Sequence, residues 1–151
     1  MTNYKRPVSV LVVIYTPDLQ VLLLERASHR GYWQSVTGSQ ENAESLIETA
    51  QREVAEETGI TADLGEFNDW QMTNTFEIFT EWRHRYAPGV SQNIEHVFSL
   101  EIPQVRRVLL APDEHLDQCW LPWQQAAEKC FSWSNRDAIL KLPELKCAPT
   151  R

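Results

Sequence analysis

Two apolar runs lie close together near the start of the sequence. Residues 8–15 read VSVLVVIY and residues 20–26 read QVLLLER, and the turn-like residues 16–19, TPDL, separate them. Runs of this length rich in Val, Leu and Ile are typical of β-strands that are buried on both faces. We therefore predict a strand, a turn and a second strand.

Later segments continue this pattern of strands and add helices. Strands are predicted at residues 76–82, 95–102 and 115–121, and helices at residues 45–58, 122–130 and 134–142. Gly59 is a typical helix stop, Pro122 suits a first helical turn, and Ser134 or Asn135 suits an N-cap. Strands that alternate with helices predict an α/β fold with a mixed β-sheet covered on both faces.

The length and charge of the chain limit the classes of function. The chain of 151 residues suits one domain, residues 1–151, and its formal net charge of −7 opposes binding to nucleic acid or to an anionic membrane. No stretch approaches the ~20 apolar residues that span a bilayer. The basic pair before the first strand imitates a secretory signal, but the apolar run is short and lacks a cleavage site.

The three cysteines bear on the cellular compartment. Cys119, Cys130 and Cys147 are odd in number and have neither CxxC nor zinc-ligand spacing. A disulfide framework is therefore not expected, which favours a cytoplasmic protein. The oligomeric state stays open from the sequence, with a monomer favoured.

The predicted helix at residues 45–58 carries an unusual concentration of acid. Leu46, Ile47, Ala50 and Val54 form its apolar stripe, and the adjacent face carries Glu53, Glu56 and Glu57 at i, i+3 and i+4. Like charges at this spacing repel, and an uncompensated buried carboxylate costs several kcal/mol. Arg52, paired with Glu56 or with Glu44, neutralises part of the charge. The remaining charge suits a hard divalent ion such as Mg²⁺.

The spacing around this helix matches a known motif. Gly38, five residues, Glu44, seven residues and then residues 52–60, REVAEETGI, fit every fixed position of G-x5-E-x7-R-E-U-x-E-E-x-G-U, where U is apolar. The sequence therefore resembles the Nudix hydrolase family. The resemblance implies an α/β/α sandwich that hydrolyses a phosphoanhydride bond with Mg²⁺ or Mn²⁺. Ala43 stands where many members of the family have glycine.

The resemblance assigns roles residue by residue. It implies that Glu53, Glu56 and Glu57 are metal ligands, that Gly38 lends a carbonyl oxygen, and that Arg52 and Glu44 brace the loop and the helix. Either Glu57 or a carboxylate from another segment acts as the catalytic base. We prefer Glu114 as that extra carboxylate and as a further metal ligand, because it directly precedes a predicted strand, and Asp113 and Asp117 are the alternatives. His96 and His115 are left out of the predicted site, since a lone histidine beside a glutamate is more often structural.

Further segments resemble one branch of the family. Residues 4–15, 33–39, 76–90, 94–98 and 132–139 are similar, in the same order, to the bacterial dihydroneopterin triphosphate pyrophosphohydrolases of folate biosynthesis. Those enzymes release pyrophosphate and leave the monophosphate. A purine nucleoside triphosphate is the alternative substrate, because the guanine edge resembles the pterin edge. A catalytically silent nucleotide-binding sensor is the alternative from another class.

Candidate substrate contacts divide into phosphate-binding and pterin-binding groups. The phosphate-binding candidates are Lys5, Arg26, Arg83 and Arg85, which supply fixed cations in an otherwise acidic chain. The pterin-binding candidates are Phe76, Glu77, Ile78 and Phe79, and further candidates for substrate contact are Thr37 and Ser132. If residues 76–82 form a strand, Phe76 and Ile78 face one way while Glu77 and Phe79 face the other. Glu77 is the expected acceptor for the N–H groups of the heterocycle.

Overall fold

The structure is a computed structural model that describes residues 4–146, so that Cys147 lies outside the described residues. The strands are β1 (Val8–Tyr15), β2 (Gln20–Arg26), β3 (Trp33–Gln34), β4 (Val36–Ser39), β5 (Glu66–Glu77), β6 (Gln92–Glu101) and β7 (His115–Pro122). The helices are α1 (Leu46–Thr58), α2 (Trp123–Lys129) and α3 (Trp133–Lys146), with 3-10 helices at Ala62–Leu64 and Thr80–Arg85. No helix within the described part of the chain is long and apolar enough to span a membrane.

The strands form one mixed sheet around β1. The main order is β3-β2-β1-β6-β5, while β4 pairs with β1 and β7 pairs with β2. β1 and β6 are parallel, and the other pairs are antiparallel. The predicted mixed sheet is confirmed.

Helices cover both faces of β1, and this explains its uninterrupted apolar sequence. On one face Val10 and its alternate neighbours pack against Ala50 and Val54 of α1. On the other face Leu11 and its neighbours pack against Ile139 of α3 and against α2. Because successive residues of a strand point to opposite faces, a strand covered on both sides needs apolar residues at every position.

The strand directions bring several chain segments to one end of the sheet. β1 and β6 begin at this end, whereas the antiparallel strands β2, β4 and β5 finish there. His115, the first residue of β7, pairs with Arg26, the last residue of β2. Side chains far apart in sequence therefore meet at this end, which we call the site end.

The helix α1 is bounded as its sequence predicts. Ser45 is the N-cap, its hydroxyl accepts from the backbone of Glu48, and the Glu48 side chain accepts from the backbone of Ser45. Gly59 ends the helix with φ of 75°, a conformation that favours glycine. The predicted apolar stripe is wrong at Ile47, which is exposed because it lies beyond the sheet contact of Ala50 and Val54.

Two other local predictions are wrong in their bounds. The strand predicted at residues 76–82 begins at Glu66 and ends at Glu77, and Thr80–Arg85 is a 3-10 helix, so Arg83 and Arg85 do not share a strand face. Pro122 is the N-cap of α2 and not part of its first turn.

The N-cap predicted for the last helix is also wrong. α3 begins at Trp133, and the Ser132 hydroxyl accepts from the backbone N–H of Asn135 at 3.3 Å. Asn135 is instead used in a tertiary contact. Its Oδ1 accepts from the backbone N–H of Ser35 at 2.7 Å, and its Nδ2 donates to the Ser35 hydroxyl at 3.0 Å.

This pair of buried hydrogen bonds generates a prediction about stability. Asn135→Ala removes both partners of Ser35 and leaves buried polar groups unpaired, so we expect the free energy of unfolding to fall by about 1–3 kcal/mol. Urea unfolding followed by circular dichroism measures the loss. Arg136→Ala, at the exposed neighbouring position, is the matched control with a change below about 0.5 kcal/mol. Equal losses in the two variants would contradict the assignment.

Candidate active site

A guanidinium group lies among the acidic residues of α1 and its preceding loop. Arg52 Nη2 donates to Glu44 Oε1 at 2.7 Å, and Arg52 Nη1 donates to Glu53 Oε1 at 2.7 Å and to Glu56 Oε2 at 3.3 Å. Arg52 Nη2 also donates to the backbone oxygen of Ser39 at 2.9 Å. These contacts raise the pKa of Arg52, so the positive charge is permanent.

The loop before α1 is folded onto this guanidinium group through Glu44. The Glu44 carboxylate also accepts from the Thr49 hydroxyl and from the backbone N–H of Glu41, each at 2.9 Å. Hydrogen bonding to Arg52 lowers the pKa of Glu44 to about 2. The bracing arrangement predicted for Arg52 and Glu44 is present in the structure, although its part in catalysis stays a prediction.

Gly38 lies directly against the Glu53 carboxylate. A Cβ atom added at Gly38 would lie 2.0 Å from Glu53 Cδ, far inside any van der Waals contact. Because the carboxylate occupies the space that a side chain would fill, any larger residue at position 38 would displace the end of the Glu53 side chain. The backbone of β4 and the helix α1 therefore meet at this point.

Glu57 is the most enclosed carboxylate of the group. It is 1% exposed, and its Oε1 has no hydrogen-bond partner among the described residues. Burial, and then the neighbouring Glu53 carboxyl, raise the pKa of Glu57 well above its ordinary value. Burial likewise raises the pKa of Glu53. Two desolvated acids side by side, one with an unpaired oxygen, provide a site that a cation would stabilise.

The start of β7 brings two further side chains to Glu57. Ligand atoms of Glu57, Glu114 and His115 all lie within 4.8 Å of one another. Glu114 is exposed, so it can reach both the buried acids and solvent. The prediction that a loop carries Glu114 towards the acidic helix agrees with this position.

His115 was left out of the predicted site, but the structure places it there. It is 4% exposed, and its Nε2 lies 3.6 Å from Glu57 Oε1. Burial and the nearby Arg26 lower the pKa of His115 to about 4, so the imidazole is neutral at pH 7. Its place beside Glu114 at the start of a strand was the one signal in the sequence.

Gln34 lies between His115 and Arg26, and the sequence did not predict it as a site residue. Arg26 Nη1 donates to Gln34 Oε1 at 3.0 Å, and Gln34 Nε2 lies 3.4 Å from His115 Nε2. Since the Gln34 oxygen is used by Arg26, its amide N–H donates to His115 Nε2, and the imidazole proton is assigned to Nδ1. No sequence motif links Gln34 to His115, which follows 81 residues later.

Three of the four predicted phosphate-binding cations converge at the site end. The backbone N–H of Lys5 donates to the Arg85 carbonyl at 2.8 Å. Burial lowers the pKa of Lys5, and Arg85 and Arg26 lower it further, whereas Glu53 and Glu114 raise it. Lys5, Arg26 and Arg85 are therefore close enough to share an electrostatic field with the acids.

Arg83, the fourth predicted cation, is bound elsewhere. Its Nε donates to the Ile78 carbonyl at 3.0 Å, and its Nη2 lies 3.8 Å from Glu77 Oε2. These contacts hold the 3-10 helix Thr80–Arg85 against the end of β5, which gives Arg83 a structural use.

Aromatic rings from three chain segments form a group beside Arg26, and one of them contacts its guanidinium. The Arg26 guanidinium lies 4.7 Å from the Trp82 ring centroid, and Trp82 contacts Phe79 with centroids 4.9 Å apart. Across from Phe79, at 6.4 Å, Phe131 stacks on Tyr32 at 4.7 Å. Of these rings the sequence had suggested Phe79 alone.

The remaining predicted pterin contacts are divided between the two faces of β5. Phe76 is half-buried and Glu77 is exposed on the opposite face. Ile78 is buried at 4%, whereas Phe79 is 44% exposed. The predicted strand alternation does not extend past Glu77, because the chain leaves the sheet there. Substrate contact by these residues stays a prediction.

Thr37 and Ser132, the last two predicted substrate contacts, are both half-buried. Thr37 pairs with Leu11 and so projects to the side of the sheet that carries α3. The Ser132 hydroxyl is already engaged at the start of α3.

The chemistry of the acidic cluster fits a divalent metal ion. Its donors are carboxylate oxygens, with one neutral imidazole, and hard divalent ions prefer oxygen ligands. The unpaired Glu57 oxygen and the close approach of the Glu53 carboxylate to the Gly38 backbone place oxygen donors where such an ion would satisfy them.

A NUDIX domain profile matches residues 5–142. The chain belongs to the Nudix family. It is 49% identical over 139 residues to the dihydroneopterin triphosphate diphosphatase of Escherichia coli K12, covering 90% of this chain and 91% of that protein. It is 40% identical over 146 residues to the enzyme of the same name from Haemophilus influenzae, covering 93% and 90%.

A solved structure agrees with these sequence matches. The structure of the E. coli dihydroneopterin triphosphate pyrophosphohydrolase superposes on this Nudix chain with a TM-score of 0.86 at 48% identity. The match covers 91% of this chain and 95% of that one. The α/β fold predicted from the sequence, a mixed sheet flanked by helices, is thus the Nudix fold.

The Glu44 contact predicts how acid affects the Nudix fold. Its pKa is about 2 in the folded chain and about 4.3 unfolded, so its stabilisation is complete above pH 4.3 and is lost as pH falls towards 2. We expect the unfolding free energy of Glu44→Gln to depend less on pH between 4.5 and 2 than that of the wild type. Urea unfolding at several pH values measures both slopes, and parallel curves would contradict the pairing.

The Gly38 contact predicts a loss of metal binding without loss of the fold. Gly38→Ala must displace the Glu53 carboxylate, and we expect Mn²⁺ affinity to fall at least about tenfold, as for disturbed metal-supporting residues. Calorimetric titration with Mn²⁺ measures the affinity, and circular dichroism checks the fold. Ala43→Gly, an exposed position in the same loop, is the control and should bind as the wild type does. Unchanged affinity in Gly38→Ala would refute the prediction.

Proposed function

We propose that this chain hydrolyses dihydroneopterin triphosphate to dihydroneopterin monophosphate and pyrophosphate, a step of folate biosynthesis. The observation that carries the proposal is the 49% and 40% identity, over nine-tenths of the chain, to two diphosphatases named for that substrate. The motif acids Glu53, Glu56 and Glu57 are all present, which supports an active enzyme over a silent sensor. We also propose a cytoplasmic monomer without nucleic-acid or membrane partners, in keeping with the net charge of −7.

The proposed cofactor is Mg²⁺, with Mn²⁺ as a substitute. Glu53, Glu56, Glu57 and Glu114 would hold it, and the Gly38 carbonyl would add a neutral oxygen. Such an ion supplies positive charge against the phosphate oxygens and lowers the pKa of the attacking water. The carboxylates of α1 hold this charge where Arg52 keeps them in place.

The cations at the site end bind the triphosphate. Lys5, Arg26 and Arg85 come from three separate segments, so they can contact different phosphate groups. Gln34 and Trp82 fix the direction of the Arg26 guanidinium through a hydrogen bond of 3.0 Å and a ring contact of 4.7 Å. A guanidinium held in this way loses little entropy when phosphate binds.

Glu114 accepts the proton of the attacking water in this proposal. It is exposed, whereas Glu57 is enclosed and has a raised pKa, so Glu114 is the carboxylate that solvent reaches. His115 is neutral and accepts from Gln34, which makes it a positioning residue beside Glu57.

The aromatic rings form the side of a slot for a flat heterocycle. Phe79 and Phe131 lie 6.4 Å apart near the cations, and Phe79 is largely exposed. Flat rings stack well on such surfaces. A pterin linked to its triphosphate can therefore contact the rings while its phosphates contact Arg26.

A comparison of substrates tests this proposal. We expect kcat/KM for dihydroneopterin triphosphate to exceed that for dGTP and dATP at saturating Mg²⁺, with pyrophosphate as the released product. Separate assays for pyrophosphate and orthophosphate identify the bond that is cleaved. Equal or faster turnover of dGTP would reassign the slot to purine nucleotides.

The metal-dependent step has its own control in the same assay. Glu57→Gln keeps the size of the side chain but not its charge, so we expect a folded protein with kcat reduced at least about 100-fold. Near-normal turnover of this variant would remove Glu57 from the mechanism.

A further inference from the structure

Four polar residues form a row across the face of the sheet that carries α3. Ser39 of β4 pairs with Ser9 of β1, Ser9 pairs with Glu95 of β6, and Glu95 pairs with Asn74 of β5. Register partners project to the same face of a sheet. This row lies two residues from the apolar positions Leu11 and Val97, which pack under α3. We call it the polar row.

Glu95 is the acid at the centre of the polar row. It is 5% exposed, and no arginine or lysine in the described part of the chain pairs with it, which is unusual for a buried glutamate. Its Oε1 accepts from Asn74 Nδ2 at 3.5 Å, a long hydrogen bond. Burial raises the pKa of Glu95, whereas the Ser134 and Asn74 side chains lower it. A buried carboxyl is costly to keep unless hydrogen bonds satisfy it.

Asn93 projects to the same face and is incompletely paired. It is 4% exposed, and its Nδ2 donates to the Ser9 hydroxyl at 2.7 Å. Its Oδ1 has no hydrogen-bond partner within residues 4–146. A buried unpaired acceptor costs about 1–3 kcal/mol, so such a group calls for a ligand or a water molecule.

The surroundings suit a flat ring. Phe76 is the register partner of Asn93 and so lies on the same face. A cavity of about 370 Å³ lies between α3 and the strands β5 and β6; Glu95 and Asn93 do not line it, but Asn74 and Ser134, the two side chains that contact Glu95, do. Asn93 lies one residue from the start of β6, at the site end. Neither Asn93 nor Glu95 has a role in the proposed hydrolysis.

We propose that Glu95 and Asn93 are the specificity-determining acceptors for the heterocycle, receiving hydrogen bonds from the N–H groups of a 2-amino-4-oxo ring. The two side chains stand two residues apart on one strand and therefore project to the same face of the sheet. The inference rests on the proposed function, because it assigns the part of the substrate that the phosphate-binding cations do not hold.

This assignment differs from that expected from the sequence. Glu77, the predicted acceptor, projects to the opposite face from Phe76, is exposed, and lies near Arg83. Glu95 offers a carboxylate that is shielded from water, where a hydrogen bond discriminates more strongly.

The chemistry of the acceptors defines which substrates they favour. Pterin and guanine both present an amino group and a ring N–H side by side, and two acceptors pair with both donors. Adenine presents a ring nitrogen acceptor at the corresponding position, which would face Glu95 or Asn93 without a proton between them. The acceptors would then be buried without a hydrogen bond, which costs free energy and disfavours adenine.

The test compares binding and turnover in Glu95→Gln. Fluorescence titration measures the Kd of dihydroneopterin, which has no phosphate, and steady-state assays measure kcat/KM for dihydroneopterin triphosphate, GTP and ATP. We expect the variant to weaken dihydroneopterin binding at least tenfold and to lower kcat/KM for the first two triphosphates at least tenfold. The value for ATP should change less than threefold.

The two measurements separate this inference from the proposed function. Normal dihydroneopterin affinity in Glu95→Gln, with the wild type active on its triphosphate, overturns the acceptor role and leaves the function standing. Weakened dihydroneopterin binding in the variant supports the acceptors even if the wild type fails to hydrolyse the triphosphate, which would overturn the function alone. An equal loss on all three triphosphates would indicate a structural role and overturn the inference.

Two further variants complete the design. Glu66→Gln changes an exposed carboxylate at the opposite end of β5 and should match the wild type in both assays. Asn93→Ala removes the second acceptor and keeps the inference testable if Glu95→Gln does not fold, with the same expected loss of dihydroneopterin affinity. A loss in Glu77→Gln, with none in Glu95→Gln and Asn93→Ala, would return the role to the residue expected from the sequence.

Discussion

The electrostatic balance around Arg52 is the constraint on which the site depends. Its guanidinium contacts the carboxylates of Glu44, Glu53 and Glu56 and the backbone oxygen of Ser39. The loop, the strand β4 and the helix α1 are therefore joined through one planar cation. Without it, the acids would repel one another at the place where the fold requires them to be close.

The topology of the sheet explains how distant segments reach these acids. Parallel pairing of β1 with β6, and antiparallel pairing of their neighbours, directs several strand termini to the same end. The acids of the motif then lie on the side of α1, whereas the polar row around Glu95 lies on the side of α3. One hydrophobic cluster lies under α1 and the other under α3, so each group of polar residues is positioned by a different cluster.

Local pattern and motif spacing were sufficient for β1, β2 and α1, because burial on both faces and capping leave clear sequence signals. The pattern failed for most of β5, where exposed polar residues alternate with half-buried ones and the register shifts between Asp69 and Thr73. The motif located the acids of α1, but not Gln34 or Asn93. Their surroundings arise from strand pairing between distant segments, which carries no local signal.

The apolar strand β1 has a consequence for how the enzyme can adapt. It is hydrogen-bonded along both edges and covered on both faces, so a shift of this strand would disturb both hydrophobic clusters at once. Substitutions are tolerated more easily in segments that are not covered on both faces. Thr80–Arg85 is one of these, because it has no buried residues, yet it carries Trp82 and Arg85. Replacing either side chain can therefore change the surface offered to a bound molecule while both hydrophobic clusters keep their packing.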